Sequence, residues 1–212
     1  MSLKIKVCGM RDPQNVVDVS ELSPDIMGFV FYPQSPRYAG QVLEPDTTTG
    51  IPASIKKAGV FVNSEFEVIA ETIEKYSLDI VQLHGNESPD FCSRLKENGA
   101  LLIKAFSIRD ANTFDQCIEY VDVTDYFLFD TITPDYGGSG LRFDWNLLQN
   151  YNSNRPFFLS GGIGPNDVAE IFKISHPSFY GIDINSRFES APGMKEINTL
   201  KKFISEIRLI NY

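Results

Sequence analysis

The sequence predicts a single-domain α/β protein, a (β/α)8 TIM barrel spanning residues 1–212. Short apolar runs rich in Val, Ile, Phe and Leu recur eight times along the chain. Each is followed by a helical segment or by a loop long enough to hold one, and nothing between neighbouring runs signals a tight strand-to-strand hairpin. Barrels routinely use about 200 residues or more as one domain, so the length fits. The alternative is a doubly wound sheet, whose usual G-x-G-x-x-G after the first strand is missing.

Taken in order, strands are expected near residues 4–8, 26–31, 58–62, 79–83, 101–105, 125–130, 156–160 and 179–183. Asp12-Pro13 and Ser88-Pro89 place a capping side chain before a proline, and Ser64 with Glu67 fits a capping box. Two helices show 3.6-residue stripes: Phe66, Ile69, Ala70, Ile73, and Ile197, Leu200, Ile204, Ile207. The second unit is the weakest, because Gln34 to Ser54 is rich in Pro, Thr and Gly, and its helix should be short. The stretch FLFDTITPDYGGSGLRFDW, Phe127 to Trp145, runs from an apolar strand onto Asp130. It continues through a loop with three glycines to a helix start near Asp144 and Trp145.

Composition narrows the function. A formal charge of −9 argues against nucleic acid, whose phosphates reward a basic face. It leaves room for a small anionic ligand held by local donors. Three cysteines without C-x-x-C spacing and two histidines argue against a disulfide framework or a zinc site. No apolar run approaches the roughly 18 residues of a spanning helix and no signal segment opens the chain, so a cytoplasmic protein without a membrane partner is expected.

Side chains alternate faces along a strand, so Lys4, Lys6 and Cys8 should share the inner face while Ile5 and Val7 meet the helices. The same parity groups Ile80, Gln82 and His84; Tyr126, Leu128 and Asp130; and Phe179, Gly181 and Asp183. Cys8, His84, Asp130 and Asp183 thereby converge at the strand C-terminal ends, the catalytic face of a barrel. A strand cysteine is more often a small buried hydrophobe. Its inward position at a strand end, followed by Gly9, favours a thiolate nucleophile or base. Asp130 reads either as a loop cap or as an acid whose pKa a closing pocket would raise. Ser160-Gly161-Gly162-Ile163-Gly164-Pro165 after strand seven and Ile184 to Arg187 after strand eight form the pair of loops that often holds phosphate in barrels. The glycines from Gly137 to Gly140 are a weak signal alone. Arg37 is by composition a solvated loop arginine, and binding a carboxylate would require it to fold over the mouth. Lys6 either favours a thiolate at Cys8 or merely pairs with a buried carboxylate. His176 falls at the opposite end, and Cys92 and Cys117 read as helix packing residues.

The segments KVCGM, GFVFYPQSPRY, VQLHGNE, FLFDT with GGSG and FDW, FFLSGGI, and GIDINSRFESAPGMK follow one another in the order found in the phosphoribosylanthranilate isomerase family, which the chain resembles over nearly its whole length. The resemblance implies a (β/α)8 barrel acting on a small phosphosugar without cofactor or metal, as a monomer or homodimer. It implies Cys8 as general base and Asp130 as general acid of an Amadori rearrangement in tryptophan biosynthesis. Arg37 would bind the anthranilate carboxylate, and His84 and Asp183 would line the substrate site. Phosphate would fall to Gly138, Gly162, Asn185 and Ser186. Where the family commonly continues the glycine loop with lysine, this chain has Leu141 and Arg142, and it has Arg187 where a small residue is usual. Arg142 or Arg187 is therefore expected to supply the missing charge. Other phosphosugar barrels bring metal-binding histidines, or a lysine and glutamate set, that this sequence lacks. A catalytically silent or differently specific phosphosugar-binding barrel is the remaining alternative.

Overall fold

The computed structural model describes residues 3–131 and 142–210. Eight parallel strands close into one barrel: β1 (Lys4–Met10), β2 (Ile26–Val30), β3 (Lys56–Phe61), β4 (Ile80–Leu83), β5 (Leu101–Ile108), β6 (Tyr126–Thr131), β7 (Phe157–Leu159) and β8 (Phe179–Ile184). The helices between them are α1 (Pro13–Ser20), α2 (Pro45–Thr49), α3 (Phe66–Tyr76), α4 (Pro89–Glu97), α5 (Val168–Ile171) and α6 (Ile197–Leu209). Two connections, Ala111–Tyr120 and Trp145–Asn150, are 3₁₀ helices. Asn112, Thr113 and Asp115 offer the backbone competing side-chain partners, which weakens an α-helix there. A two-stranded hairpin, β9 (Glu189–Ala191) with β10 (Met194–Lys195), follows β8.

Two of the sequence signals mark helix starts. Asp12 accepts from Asn15 N and Ser88 from Phe91 N, each followed by proline at the first turn. The Ser64–Glu67 box is not used: α3 begins after Glu65, with no side-chain cap bond. Helix α2 has five residues, as its Pro- and Thr-rich sequence foretold. The stripe Leu200, Ile204 and Ile207 of α6 is buried, as is Ile69 of α3.

The barrel interior follows strand parity with one exception. Ile26, Ala58, Ile80, Ile103, Leu128 and Phe158 pack inside, whereas Ile5 and Val7 join the larger core beneath the helices. On β8 the parity fails. A register shift against β7 places an extra residue between Phe179 and Gly181. Phe179 therefore stacks on Phe157 in the outer core, and Tyr180 turns inward onto Tyr126 and Phe158.

At the N-terminal end, one device recurs on three strand pairs. Asp25, Asp79 and Asp125 each precede an even-numbered strand and accept a hydrogen bond from the backbone of the odd-numbered strand before it, at Ile5, Lys57 and Leu102 (2.9 Å each). Each also meets a lysine: Lys4, Lys56 and Lys96. Unpaired strand ends are thus capped away from the mouth, which leaves the opposite end for chemistry.

Candidate active site

Strand β1 runs two residues beyond the expected Cys8. Gly9 has a left-handed φ of 77°, and the pairing with β2 shifts register between Val7 and Met10. Cys8 sits at this irregularity, facing inward against Val30 and Val60 at the tops of β2 and β3. Below it Lys6, fully buried, donates to Asp183 of β8 at 2.8 Å, and the two are partners in register. Asp183 also accepts from Ser160 Oγ at 3.5 Å. A Cβ on Gly28 would stand 2.9 Å from Cys8 Sγ and 3.0 Å from Lys6 Nζ, so glycine there lets thiol and ammonium share one space.

The electrostatics correct one expectation. Burial pushes the Cys8 thiol up from its ordinary 9.0, and the nearby Lys6 opposes this without reversing it. The resting group is therefore a thiol, not a standing thiolate. Burial works against the Lys6 ammonium, but Asp183 and Cys8 outweigh it and its pKa lies above 10.5. Burial likewise raises Asp183, against the pull of Lys6.

Across the mouth, His84 follows β4 and Asp130 lies on β6. His84 Nε2 stands 3.4 Å from Asp130 Oδ2, while its Nδ1 meets Gln82 Nε2 at 3.1 Å. With the Gln82 amide donating at that contact, Nδ1 accepts and Nε2 carries the proton toward Asp130; with the amide turned over, the roles of the two ring nitrogens exchange. Asp130 Oδ1 accepts from Thr131 N at 2.7 Å. The loop bearing His84 is anchored by a buried pair, Lys104 with Glu87, in which Lys104 also donates to Gly85 O at 2.8 Å. A cavity of about 560 Å³ opens beside His84, toward Arg109 and Asn112.

Arg37 is not the solvated arginine that its composition suggests. It is 8% exposed and folds over the mouth, where Glu189 takes its Nε and Nη2 (3.0 and 2.7 Å to Oε2). Lys195, also buried, donates to Glu189 Oε1 and to Asn185 Oδ1, both at 2.7 Å. Sequence reasoning missed Glu189 and Lys195. Their signal was the Pro-Gly turn with an acid before it and a base after it, a hairpin that an eight-strand template leaves out of account.

Gly161 and Gly162 of the loop after β7 adopt left-handed φ values of 87° and 65°. A Cβ on Gly161 would lie 2.3 Å from Thr131 Oγ1, so the loop packs on the end of β6. Helix α5 begins later than the loop suggested, at Val168, and has four residues, and Gly164 N in the preceding loop donates to Asp167 Oδ2 at 2.6 Å. Asn185 and Ser186 lie directly after β8, as expected. Arg142 pairs with Asp167 at 2.6 Å and stacks on Trp145. The Arg187 stem lies along Gly164. Gly138 and Leu141 fall outside the described residues. His176, at the far end of the barrel, bonds Tyr151 O and Ser178 N.

The family model described as N-(5'phosphoribosyl)anthranilate (PRA) isomerase matches residues 5–206. The chain belongs to this isomerase family. It is 48% identical over 204 residues to the N-(5'-phosphoribosyl)anthranilate isomerase of Parabacteroides distasonis, covering 96% of this chain and 92% of that one. Its fold is similar to the crystal structure of phosphoribosyl anthranilate isomerase from Thermotoga maritima, with a TM-score of 0.84 and 31% identity over 98% of this chain and all of the other. A phosphoribosyl anthranilate isomerase solved in complex with reduced 1-(o-carboxyphenylamino)-1-deoxyribulose 5-phosphate superposes with a TM-score of 0.82 and 29% identity, covering 98% of this chain and 100% of that one. Among the described residues no helix is long and apolar enough to cross a membrane, and no cluster of His, Cys, Asp and Glu is arranged to hold a metal.

Proposed function

We propose that this chain converts N-(5'-phosphoribosyl)anthranilate to 1-(o-carboxyphenylamino)-1-deoxyribulose 5-phosphate, the isomerisation step of tryptophan biosynthesis. The observation that carries the reading is an inward thiol, Cys8, and a carboxyl, Asp130, at one mouth of a barrel whose family is shown by its sequence. Protonated Asp130 gives its proton to the furanose oxygen, the C1′–O bond breaks, and the anilino nitrogen forms a Schiff base. That cation acidifies C2′–H. Cys8 as thiolate removes the proton, and the electrons form the C1′=C2′ bond of an enolamine, which tautomerises to the ketone. Each positioned proton transfer is typically worth about 10²- to 10⁴-fold.

The buried thiol needs help to act as a base. Lys6 and Lys195 both pull its pKa down, so they favour the thiolate whenever it forms. His84 orients Asp130 through its Nε2, and Asp183 holds Lys6. Arg37 would take the anthranilate carboxylate. Gly162, Asn185 and Ser186, together with Gly138, would take the phosphate through loop N–H groups and side-chain donors. No step calls for a cofactor. A monomer or a homodimer is the proposed state, and the cytoplasm, where a phosphorylated intermediate is retained, is the proposed location.

Purified protein supplied with freshly generated phosphoribosylanthranilate tests the reading by the decay of substrate fluorescence. Decay with appearance of the ketone product is expected. Folded protein that leaves the substrate to spontaneous breakdown would refute it and favour a silent phosphosugar-binding barrel.

A further inference from the structure

The hairpin after β8 has no place in an eight-strand barrel, yet it carries two of the most deeply buried charges near the mouth. The side chains of Lys195 and Glu189 are 0% and 3% exposed. The hairpin is fixed to the barrel at several points. Asn15 of α1 grips the Lys195 backbone at both N and O (2.8 and 2.9 Å), Glu196 N donates to Phe188 O, and Lys195 Nζ ties Glu189 to Asn185. Glu189 also accepts from Gly193 N.

What this rigid carboxylate holds is Arg37. A guanidinium has five N–H donors in a planar fork, and a carboxylate can occupy one edge of it with two parallel bonds. Glu189 occupies the Nε/Nη2 edge. Among the described residues, the Nη1/Nη2 edge is left for a second carboxylate. The arginine stem crosses the strand end beside Cys8, where a Cβ on Gly9 would lie 2.7 Å from Arg37 Cδ. Charge fits the arrangement. One anion between two cations leaves a local excess of one positive charge, enough to attract a carboxylate, while preventing Arg37 and Lys195 from driving each other apart.

We infer that Glu189 is a positioning residue for Arg37: by gripping one edge of the guanidinium it presents the other edge to the ligand, so the β9–β10 hairpin sets the selectivity for an aromatic carboxylate. The inference rests on the reading of Arg37 as the carboxylate-binding group.

The test compares two ligands by titration calorimetry: reduced 1-(o-carboxyphenylamino)-1-deoxyribulose 5-phosphate and the same molecule without its carboxyl group. The ratio of their Kd values isolates recognition of the carboxylate from general loosening of the site. Glu189→Gln is isosteric, but its amide nitrogen opposes the guanidinium donors, and Glu189→Ala removes the grip altogether. Both variants are expected to lower the ratio roughly tenfold or more, since a small misplacement of a binding group costs up to about 10²-fold, and any loosening of Asn185 through Lys195 affects both ligands alike and cancels in the ratio. Arg37→Ala is expected to abolish the ratio. If Arg37→Ala abolishes it and Glu189→Gln leaves it unchanged, the positioning role is overturned and the Arg37 reading stands. A ratio unchanged in Arg37→Ala overturns both.

Discussion

Replacing Lys6 with Met removes the cationic half of a buried pair and leaves Asp183, among the described residues, with the long side-chain hydrogen bond from Ser160. Breaking such a pair by deleting one partner typically costs about 3–5 kcal/mol. In a chain of this size that is a fall in Tm of roughly 10 °C. The penalty should depend on pH in a defined direction. Burial already raises Asp183 above its ordinary 3.8, and without Lys6 it rises further. A group whose pKa is raised by folding stabilises fully below its unfolded value and loses that contribution as pH rises toward the folded value. The stability difference between wild type and Lys6→Met should therefore grow from pH 5 to pH 7, by up to ~1.4 kcal/mol per unit. The double variant Lys6→Met/Asp183→Asn, with neither charge, should recover most of the loss and abolish the pH-dependent difference. Urea unfolding at pH 5, 6 and 7 measures all three proteins. Lys6→Met should also move the acid limb of the pH–rate profile upward, because Lys6 is the main group lowering Cys8. A loss under ~1 kcal/mol at pH 7, or one equal at pH 5 and pH 7, would refute the reasoning about the pair.

Other expectations follow from the barrel's two ends. Hydrogen bonds from Lys4, Arg208 and Ile5 N outweigh the upward push of burial on Asp25, those from Lys57 N and Lys56 do so on Asp79, and Arg37 and Lys195 do so on Glu189, so all three are lowered. Lowered carboxylates stabilise above their unfolded values, 3.8 and 4.5 here, and lose that contribution as pH falls through the folded values. Unfolding free energy should thus drop below about pH 4.5. Asp79→Asn should flatten that acid limb and cost roughly 1 kcal/mol at neutral pH, by urea titration. At the phosphate end, the Arg187 stem lies along Gly164 of the loop after β7, so Arg187→Ala should raise KM roughly tenfold, about 1.4 kcal/mol, whereas Arg142→Ala, whose guanidinium stacks on Trp145, should change it less than threefold or so. Equal effects in steady-state assays would return Arg142 to consideration.

Legibility in the sequence divides by the range of the interactions. The strands announce themselves because their burial is local and periodic, and Asp12 and Ser88 cap within three residues of themselves. Parity sends Lys6 inward, and the structure combines its two readings: it pairs with Asp183 and also faces Cys8. Parity fails on β8 because the extra residue at Tyr180 is imposed by pairing with β7, which no window on β8 reveals. Burial of the Arg37 charge depends on Glu189, 152 residues away. Composition alone sees a polar loop. The thiolate expected at Cys8 likewise ignored desolvation, which depends on Val30 and Val60 closing around it.

The most direct test of the account is turnover by Cys8→Ser and Asp130→Asn beside wild type, with binding of reduced 1-(o-carboxyphenylamino)-1-deoxyribulose 5-phosphate measured on the same preparations. The account predicts that kcat falls by about 10²-fold or more in each variant while Kd for the ligand changes little. Near wild-type kcat in either folded variant would contradict the role given to that residue as base or acid.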